Sequence, residues 1–283
     1  MAVKTVGVVG SGIMGAGLVD VLATAGFAVA VRVRSDASAD GLRSTLDAWG
    51  AKRLSRQQID EAALAAWRER ISIGRSLDAL HDCDVVIESV VEDLDVKKTL
   101  FRELDAVVKP SAVLATNTST LPVIEMAMAT NRPESVCGMH FFNPAAAMRL
   151  VEVVRAVTTS DSTVTTVADV AAACGKDVVN VADRAGFVVN ALLFPYLNHA
   201  VRLWEEGVAS MADIDTAMRG GCNFPMGPFA LLDLVGLDTS VAILDALHAE
   251  RRDPSTVVAP SLRRLVSAGR LGRKTRQGFY TYG

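Results

Sequence analysis

Four glycines near the start of the chain constrain its fold more than any other feature. Val8-Val9-Gly10-Ser11-Gly12-Ile13-Met14-Gly15-Ala16-Gly17 fits G-x-G-x-x-G and stands between a β-branched run, Val3 to Val9, and a stretch of helical spacing, Ile13 to Ala25. Gly26 supplies a helix stop and Phe27 to Val33 reads as a second strand, so the segment predicts a βαβ unit. In such a unit the first glycine makes the tight turn. The second lets the backbone approach a pyrophosphate, and the third lets helix and strand pack closely. Phosphates then sit on the helix N-terminus, where free N–H groups and the helix dipole favour anions. A tight βα turn without ligand has the same pattern, but strand, helix and second strand all agree here with a dinucleotide site. Gly10, Gly12, Ile13, Met14 and Gly15 are its expected contacts.

The rest of the chain extends this beginning. Residues 36–70 are polar with helical spacing. Ile71–Ile73, Val85–Ile87, Val113–Ala115 and Val136–Met139 are further strand candidates, with helical stretches such as 95–108 and 122–130 between them. Strands alternating with helices imply a mostly parallel, doubly wound sheet, to which Val151–Val154 and Val178–Val181 would add. From Phe187 onward the chain reads as helices alone: 187–206, 211–221, 227–234, 238–250 and 259–268. The expected architecture is a Rossmann-type dinucleotide-binding domain over 1–185, then an all-helical domain over 186–283.

Composition closes off several function classes. Half of the residues are hydrophobic and 22% are charged, enough to bury a core and to exclude a disordered chain. A net charge of −3 argues against a nucleic-acid binder, which needs a basic footprint. Mean hydropathy is +0.29, yet no apolar run reaches the ~18 residues of a membrane helix. The first ten residues carry no leader pattern. Cys83, Cys137, Cys174 and Cys222 are far apart, which excludes a disulfide framework and the usual zinc spacings. A cytoplasmic, reduced protein without a metal is expected.

The end of the second strand bears on the choice between NAD and NADP. An acidic residue there binds the ribose 2′-hydroxyl, whereas an arginine accepts a 2′-phosphate. Here the segment is Arg32-Val33-Arg34-Ser35, with no acid before Asp36. The reading leans to NADP through Arg32 and Arg34, NAD staying open; both arginines are also readable as solvated edge residues.

Residues 138–154 read Gly-Met-His140-Phe-Phe-Asn143-Pro-Ala-Ala-Ala-Met-Arg-Leu-Val-Glu152-Val-Val. With the glycine loop, Thr116-Asn-Thr-Ser119, Gly186-Phe-Val-Val-Asn190, Pro225-Met-Gly-Pro228 and Leu271-Gly-Arg-Lys274-Thr-Arg-Gln-Gly-Phe-Tyr280, the chain resembles the 3-hydroxyacyl-CoA dehydrogenase family over nearly its whole length, and most of all its short 3-hydroxybutyryl-CoA members. The resemblance implies interconversion of an (S)-3-hydroxyacyl-CoA and its 3-ketoacyl-CoA, with His140 as catalytic base and Glu152 orienting it. It implies that Ser119 and Asn190 hold the substrate oxygen, and that Glu92, Lys97, Asn117, Ser119, Asn143 and Lys274 contact the cofactor. Lys52 is implied to meet the CoA phosphates, the helical domain over 186–283 to bind substrate and dimerise, and the protein to be a homodimer. The sequence departs from the family at Val33, where an acid is usual, at Ala185, at Ala191 and at Ala145–Ala147. These departures bear on cofactor and acyl preference.

The residues make chemical sense of that assignment. Oxidising a secondary alcohol needs a base for the hydroxyl proton while hydride leaves carbon, and an unperturbed histidine titrates near about 6.5. Glu152 lies in the apolar run Leu-Val-Glu-Val-Val, where a carboxylate is costly unless partnered. Its expected partner is His140. His81, His199 and His248 lack such context. Lys52, Arg53 and Arg56 are equally readable as a solvated helix face, and Pro225–Pro228 as a structural loop. One alternative keeps the chemistry but places the hydroxyacyl group on an acyl carrier protein, as in polyketide precursor supply. Another is a non-catalytic nucleotide binder, against which Ser119, His140, Glu152 and Asn190 together argue.

Overall fold

The computed structural model describes residues 3–283; residues 1 and 2 of the expected first domain lie outside it. The chain divides into two compact units, the first ending at Asp183 and the second spanning Arg184–Gly283.

The first unit opens with β1 (Thr5–Val9), α1 (Ile13–Thr24) and β2 (Ala28–Arg32). The stretch of helical spacing over 36–70 forms two helices, α2 (Asp36–Ser55) and α3 (Glu61–Glu69). Asp60 makes the break, its side chain capping α3 by accepting from the Ala63 N–H. Then come β3 (Ile71–Gly74), β4 (Val85–Glu88), α4 (Leu94–Val107), β5 (Val113–Thr116), α5 (Val123–Ala127), β6 (Val136–Phe141), β7 (Leu150–Arg155), α6 (Asp161–Ala173) and β8 (Asp177–Ala182). The eight strands lie in the order β3-β2-β1-β4-β5-β6-β7-β8. The β6–β7 pair is antiparallel and every other pair is parallel. Helices on both faces explain why β4, β5 and β6 are buried at every position and read as apolar runs broken only at Glu88, Thr116 and His140, at or near their C-terminal ends. One core joins α1, α2, α3 and α6 to the sheet through Leu18, Leu22, Leu42, Trp67, Val151 and Val167.

The antiparallel pair matters most for the site. A chain that turns straight back from β6 into β7 sets His140 directly opposite Glu152, because facing residues of an antiparallel ladder have their side chains on the same side.

The second unit contains α7 (Val189–Glu205), α8 (Met211–Cys222), α9 (Pro228–Val235), α10 (Leu237–Arg251) and α11 (Pro260–Ser267). Two buried aspartates organise it. Gly227 precedes α9 and has no side chain to cap it, so Asp215 of α8 accepts from the Phe229 and Ala230 N–H groups at 2.8 and 3.1 Å. A Cβ on Gly227 would lie 2.3 Å from the Asp215 carboxyl carbon, which explains the glycine in Pro-Met-Gly-Pro. Asp233 of α9 accepts from the N–H groups of Phe279 and Tyr280 and from the Tyr282 hydroxyl. It thereby anchors the C-terminal Gly-Phe-Tyr segment, and Trp204, Phe229 and Phe279 pack edge-on above it. Among the described residues no helix is long and apolar enough to cross a membrane.

Candidate active site

The turn from β1 into α1 is shaped for a phosphate group. Gly10 has φ of +120°, and a Cβ there would lie 2.3 Å from the Ser89 carbonyl oxygen. A Cβ on Gly15 would meet the Gly10 carbonyl oxygen at the same distance. Both positions therefore exclude a side chain by backbone contact. Gly12 is different: a Cβ there would meet nothing within 4 Å. Gly12 is also the N-cap of α1 and offers no side chain to its first N–H groups. Open space over unsatisfied donors at a helix N-terminus fits an anionic pyrophosphate. Ile13 stands exposed beside it and Met14 is half-buried.

The ends of β4, β5 and β6 carry a continuous hydrogen-bonded chain. At β6, His140 Nδ1 lies 2.8 Å from Glu152 Oε2, and its Nε2 lies 3.0 Å from the Ser119 hydroxyl. A carboxylate only accepts, so Nδ1 carries the proton in the neutral ring and Nε2 presents its lone pair to Ser119. Both side chains are almost fully buried, His140 at 5% exposure and Glu152 at 1%. The Phe142 ring lies 4.5 Å from the His140 ring. Asn117 accepts from the Phe141 N–H through its side-chain oxygen, tying the end of β5 to β6.

Behind Ser119, Glu92 accepts from the Ser119 N–H at 2.9 Å and from the Thr118 hydroxyl. Lys97 of α4 lies 3.3 Å from Glu92 and 2.6 Å from Glu88. Glu88, wholly buried at the end of β4, also accepts from the Val90 N–H and the Thr116 hydroxyl.

An oriented imidazole, a hydroxyl against its Nε2 and a neighbouring turn that fits a dinucleotide are the kinds of group that proton-coupled hydride exchange requires. Residues 5–184 match the profile of the 3-hydroxyacyl-CoA dehydrogenase NAD binding domain, and residues 186–282 match that of the 3-hydroxyacyl-CoA dehydrogenase C-terminal domain. The chain belongs to the 3-hydroxyacyl-CoA dehydrogenase family. A 3-hydroxybutyryl-CoA dehydrogenase of Clostridioides difficile is 42% identical over 97% of this chain and 98% of its own. One from Mycobacterium tuberculosis is 43% identical over 99% of both. Among solved structures, an (S)-3-hydroxybutyryl-CoA dehydrogenase from Ralstonia eutropha superposes with a TM-score of 0.97 at 38% identity, covering all of both chains.

Within this member of the family the other expected site residues are placed as follows. Asn143 is exposed just past β6. Asn190 is buried in the first turn of α7, in the second unit. Lys274, also in the second unit, pairs with Asp238 at 2.5 Å. Lys52 is exposed in the last turn of α2. Arg32 is half-buried at the end of β2 and Arg34 is exposed just beyond it; among the described residues neither has a carboxylate partner.

Two cations are placed differently from a solvated surface. Arg53 lies 3.0 Å from the buried Asp20 of α1 and 4.6 Å from the centre of the Trp67 ring. Burial pushes the Asp20 carboxyl up and the Arg53 charge pulls it back, leaving it above its ordinary value. Lys97 is buried between two carboxylates. Their charges are committed within the protein, so neither contributes an open cationic patch.

Glu88, Thr116 and Thr118 escape a reading by motif. The signal that finds Glu88 is the one that singles out Glu152. Val85-Val-Ile-Glu88 puts a carboxylate at the end of an apolar strand, and such a group needs a partner.

Proposed function

We propose that the protein interconverts (S)-3-hydroxyacyl-CoA and 3-ketoacyl-CoA, with 3-hydroxybutyryl-CoA as its substrate. The observation that carries this reading is the His140 ring held between Glu152 and Ser119. In the oxidising direction Nε2 of His140 takes the 3-hydroxyl proton as the C–O bond becomes a carbonyl. The bound nicotinamide cofactor supplies the acceptor for the hydride that leaves the same carbon. Glu152 holds the ring in its productive tautomer and stabilises the imidazolium; hydrogen bonds to a charged group contribute about 1.5–3 kcal/mol. Ser119 and Asn190 donate to the substrate oxygen as charge develops on it. In the reducing direction the imidazolium returns its proton to the keto oxygen. Lys52 meets the CoA phosphates in this reading.

The cofactor in this reading is NADP. Val33 brings no carboxylate to repel a 2′-phosphate, and Arg32 and Arg34 flank it without acidic partners among the described residues. Asp36, the first acid after β2, is paired with Arg75 at 3.1 Å. The test is turnover of acetoacetyl-CoA with each reduced cofactor. A higher kcat/KM with NADPH is expected, and Arg34→Ala should raise the KM for NADPH about fivefold or more while sparing NADH, the loss of one exposed phosphate contact. No turnover with either cofactor would remove the function, and a preference for NADH would remove the cofactor assignment.

The second unit also dimerises in this reading. Leu192, Val208, Phe224 and Leu234 are large apolar side chains exposed on it, and burying them against a second copy removes them from water. Light scattering should return twice the 30.0 kDa chain mass; a monomer at micromolar concentration would rule this out.

A further inference from the structure

We propose that Glu92 is a positioning residue for the reaction: its carboxylate fixes the backbone of Ser119 so that the Ser119 hydroxyl meets Nε2 of His140. The inference rests on the hydroxyacyl-CoA reading of the site and adds to it a group that contacts neither the base nor the substrate oxygen.

Ser119 sits in the irregular stretch after β5, where no sheet partner holds its backbone. Its N–H donates to Glu92 Oε1 at 2.9 Å, and the same oxygen accepts from the hydroxyl of Thr118. The Thr118 hydroxyl accepts in turn from the Leu121 N–H at 3.0 Å. One carboxylate oxygen thus gathers the whole turn that presents Ser119. The other oxygen, Oε2, faces Lys97 at 3.3 Å. Lys97 is buried and tied at 2.6 Å to Glu88, which the N–H of Val90 and the hydroxyl of Thr116 hold in place. Glu92 itself is 41% exposed, so it is aimed from behind by a buried cation rather than by packing. Asp93, next in the chain, caps α4 through the Val96 N–H and fixes the backbone from which Glu92 projects.

The geometry matters because the Ser119 hydroxyl is 3.0 Å from Nε2. Hydrogen bonds weaken steeply as length and angle depart from the optimum. A misplacement of about 1 Å at a reacting group can cost on the order of 10²-fold in rate. Glu92 acts mainly through reach: it must span from the segment between β4 and α4 to the Ser119 N–H, and its charge serves to meet the Lys97 ammonium that aims it. The family resemblance assigns Glu92 to the cofactor, and that role makes a different prediction.

A substitution series separates reach from charge. Glu92→Asp keeps the charge and shortens the side chain by one methylene. Glu92→Gln keeps the length and an acceptor oxygen and removes the charge. We expect kcat for acetoacetyl-CoA reduction to fall about tenfold or more in Glu92→Asp, and Glu92→Gln to retain at least five times the kcat of the Asp variant. The dissociation constant of the reduced cofactor, from fluorescence titration, reads the cofactor contact separately, since a role in cofactor contact alone would move that constant and leave Nε2 of His140 as it is. The 15N signal of His140 Nε2, read without substrate, should lose its hydrogen-bonded shift in Glu92→Asp and keep it in Glu92→Gln. The opposite ranking, a change confined to cofactor affinity, or an Nε2 signal unmoved by Glu92→Asp would each overturn the proposal. If the unmodified enzyme fails to reduce acetoacetyl-CoA, the substrate assignment falls, while the Nε2 signal still decides the role of Glu92.

Discussion

His140→Ala is expected to lower kcat for acetoacetyl-CoA by about 10³-fold or more while leaving reduced-cofactor affinity within about threefold. The size follows from what the ring does. General acid–base catalysis by a positioned side chain contributes about 10²–10⁴-fold, and His140 is the group whose Nε2 stands against the Ser119 hydroxyl at 3.0 Å. Cofactor affinity should survive because the glycine turn is built from β1 and α1, apart from the β6–β7 ladder that carries His140. Glu152→Gln probes the same unit from the other side. An amide of the same shape can present either its oxygen or its NH2 to Nδ1, so the tautomer is no longer enforced and the imidazolium loses its counter-charge. A loss of about 10²-fold or more is expected. Because the two residues act as one device, His140→Ala/Glu152→Gln should be no worse than His140→Ala by more than a few-fold. Steady-state kinetics of the three variants, with cofactor titration of each, checks this. Residual activity above a tenth of the original in His140→Ala would overturn the base assignment.

How far the chain explains itself varies from place to place. The β1–α1–β2 unit is legible because each glycine answers a local demand: Gly10 and Gly15 abut backbone, and Gly12 stands in open space. The central strands β4, β5 and β6 are legible because burial on both faces leaves few polar positions in them, Glu88, Thr116 and His140. The pairing of His140 with Glu152 is legible in part. An apolar strand holding a carboxylate announces that a partner exists, and the family motif names it. That the two stand opposite each other depends on β7 being antiparallel to β6, which strand propensity alone does not state. What stays hidden are partners distant in the chain. Arg53 meets Asp20 and Trp67, and nothing in its local run of basic residues distinguishes it from a solvated helix face. Lys97 looks the same among its charged neighbours in α4, yet it is enclosed while Lys98 beside it pairs with Glu125 nearer the surface. The aspartates of the second unit have the same character. Asp215 and Asp233 bind backbone groups that lie 14 to 47 residues further along, so their role follows only from the folded chain.

The enclosure of Lys97 leads to the largest expected effect on stability. Lys97→Met removes the cation from beside Glu88, whose side chain is wholly buried and 2.6 Å away. Breaking a buried pair by deleting one partner costs about 3–5 kcal/mol, because the remaining charge is left in a poor solvent. The Val90 N–H and the Thr116 hydroxyl still solvate Glu88, which places the expected loss toward the lower end, about 3 kcal/mol. That is a large share of the roughly 5–15 kcal/mol that holds a folded domain together. The urea midpoint of unfolding reads it. Glu88→Gln/Lys97→Met should recover more than half of the loss, since replacing both members of a buried pair by neutral groups of similar volume is often nearly neutral. An unchanged midpoint in Lys97→Met would show that Lys97 is not the partner that Glu88 requires. The double variant also separates stability from function. It restores a neutral interior but leaves Glu92 without the ammonium that aims it. It should therefore fold nearly as well as the unmodified chain and still turn over several-fold more slowly. Recovery of stability and turnover together would instead assign Lys97 to the core alone.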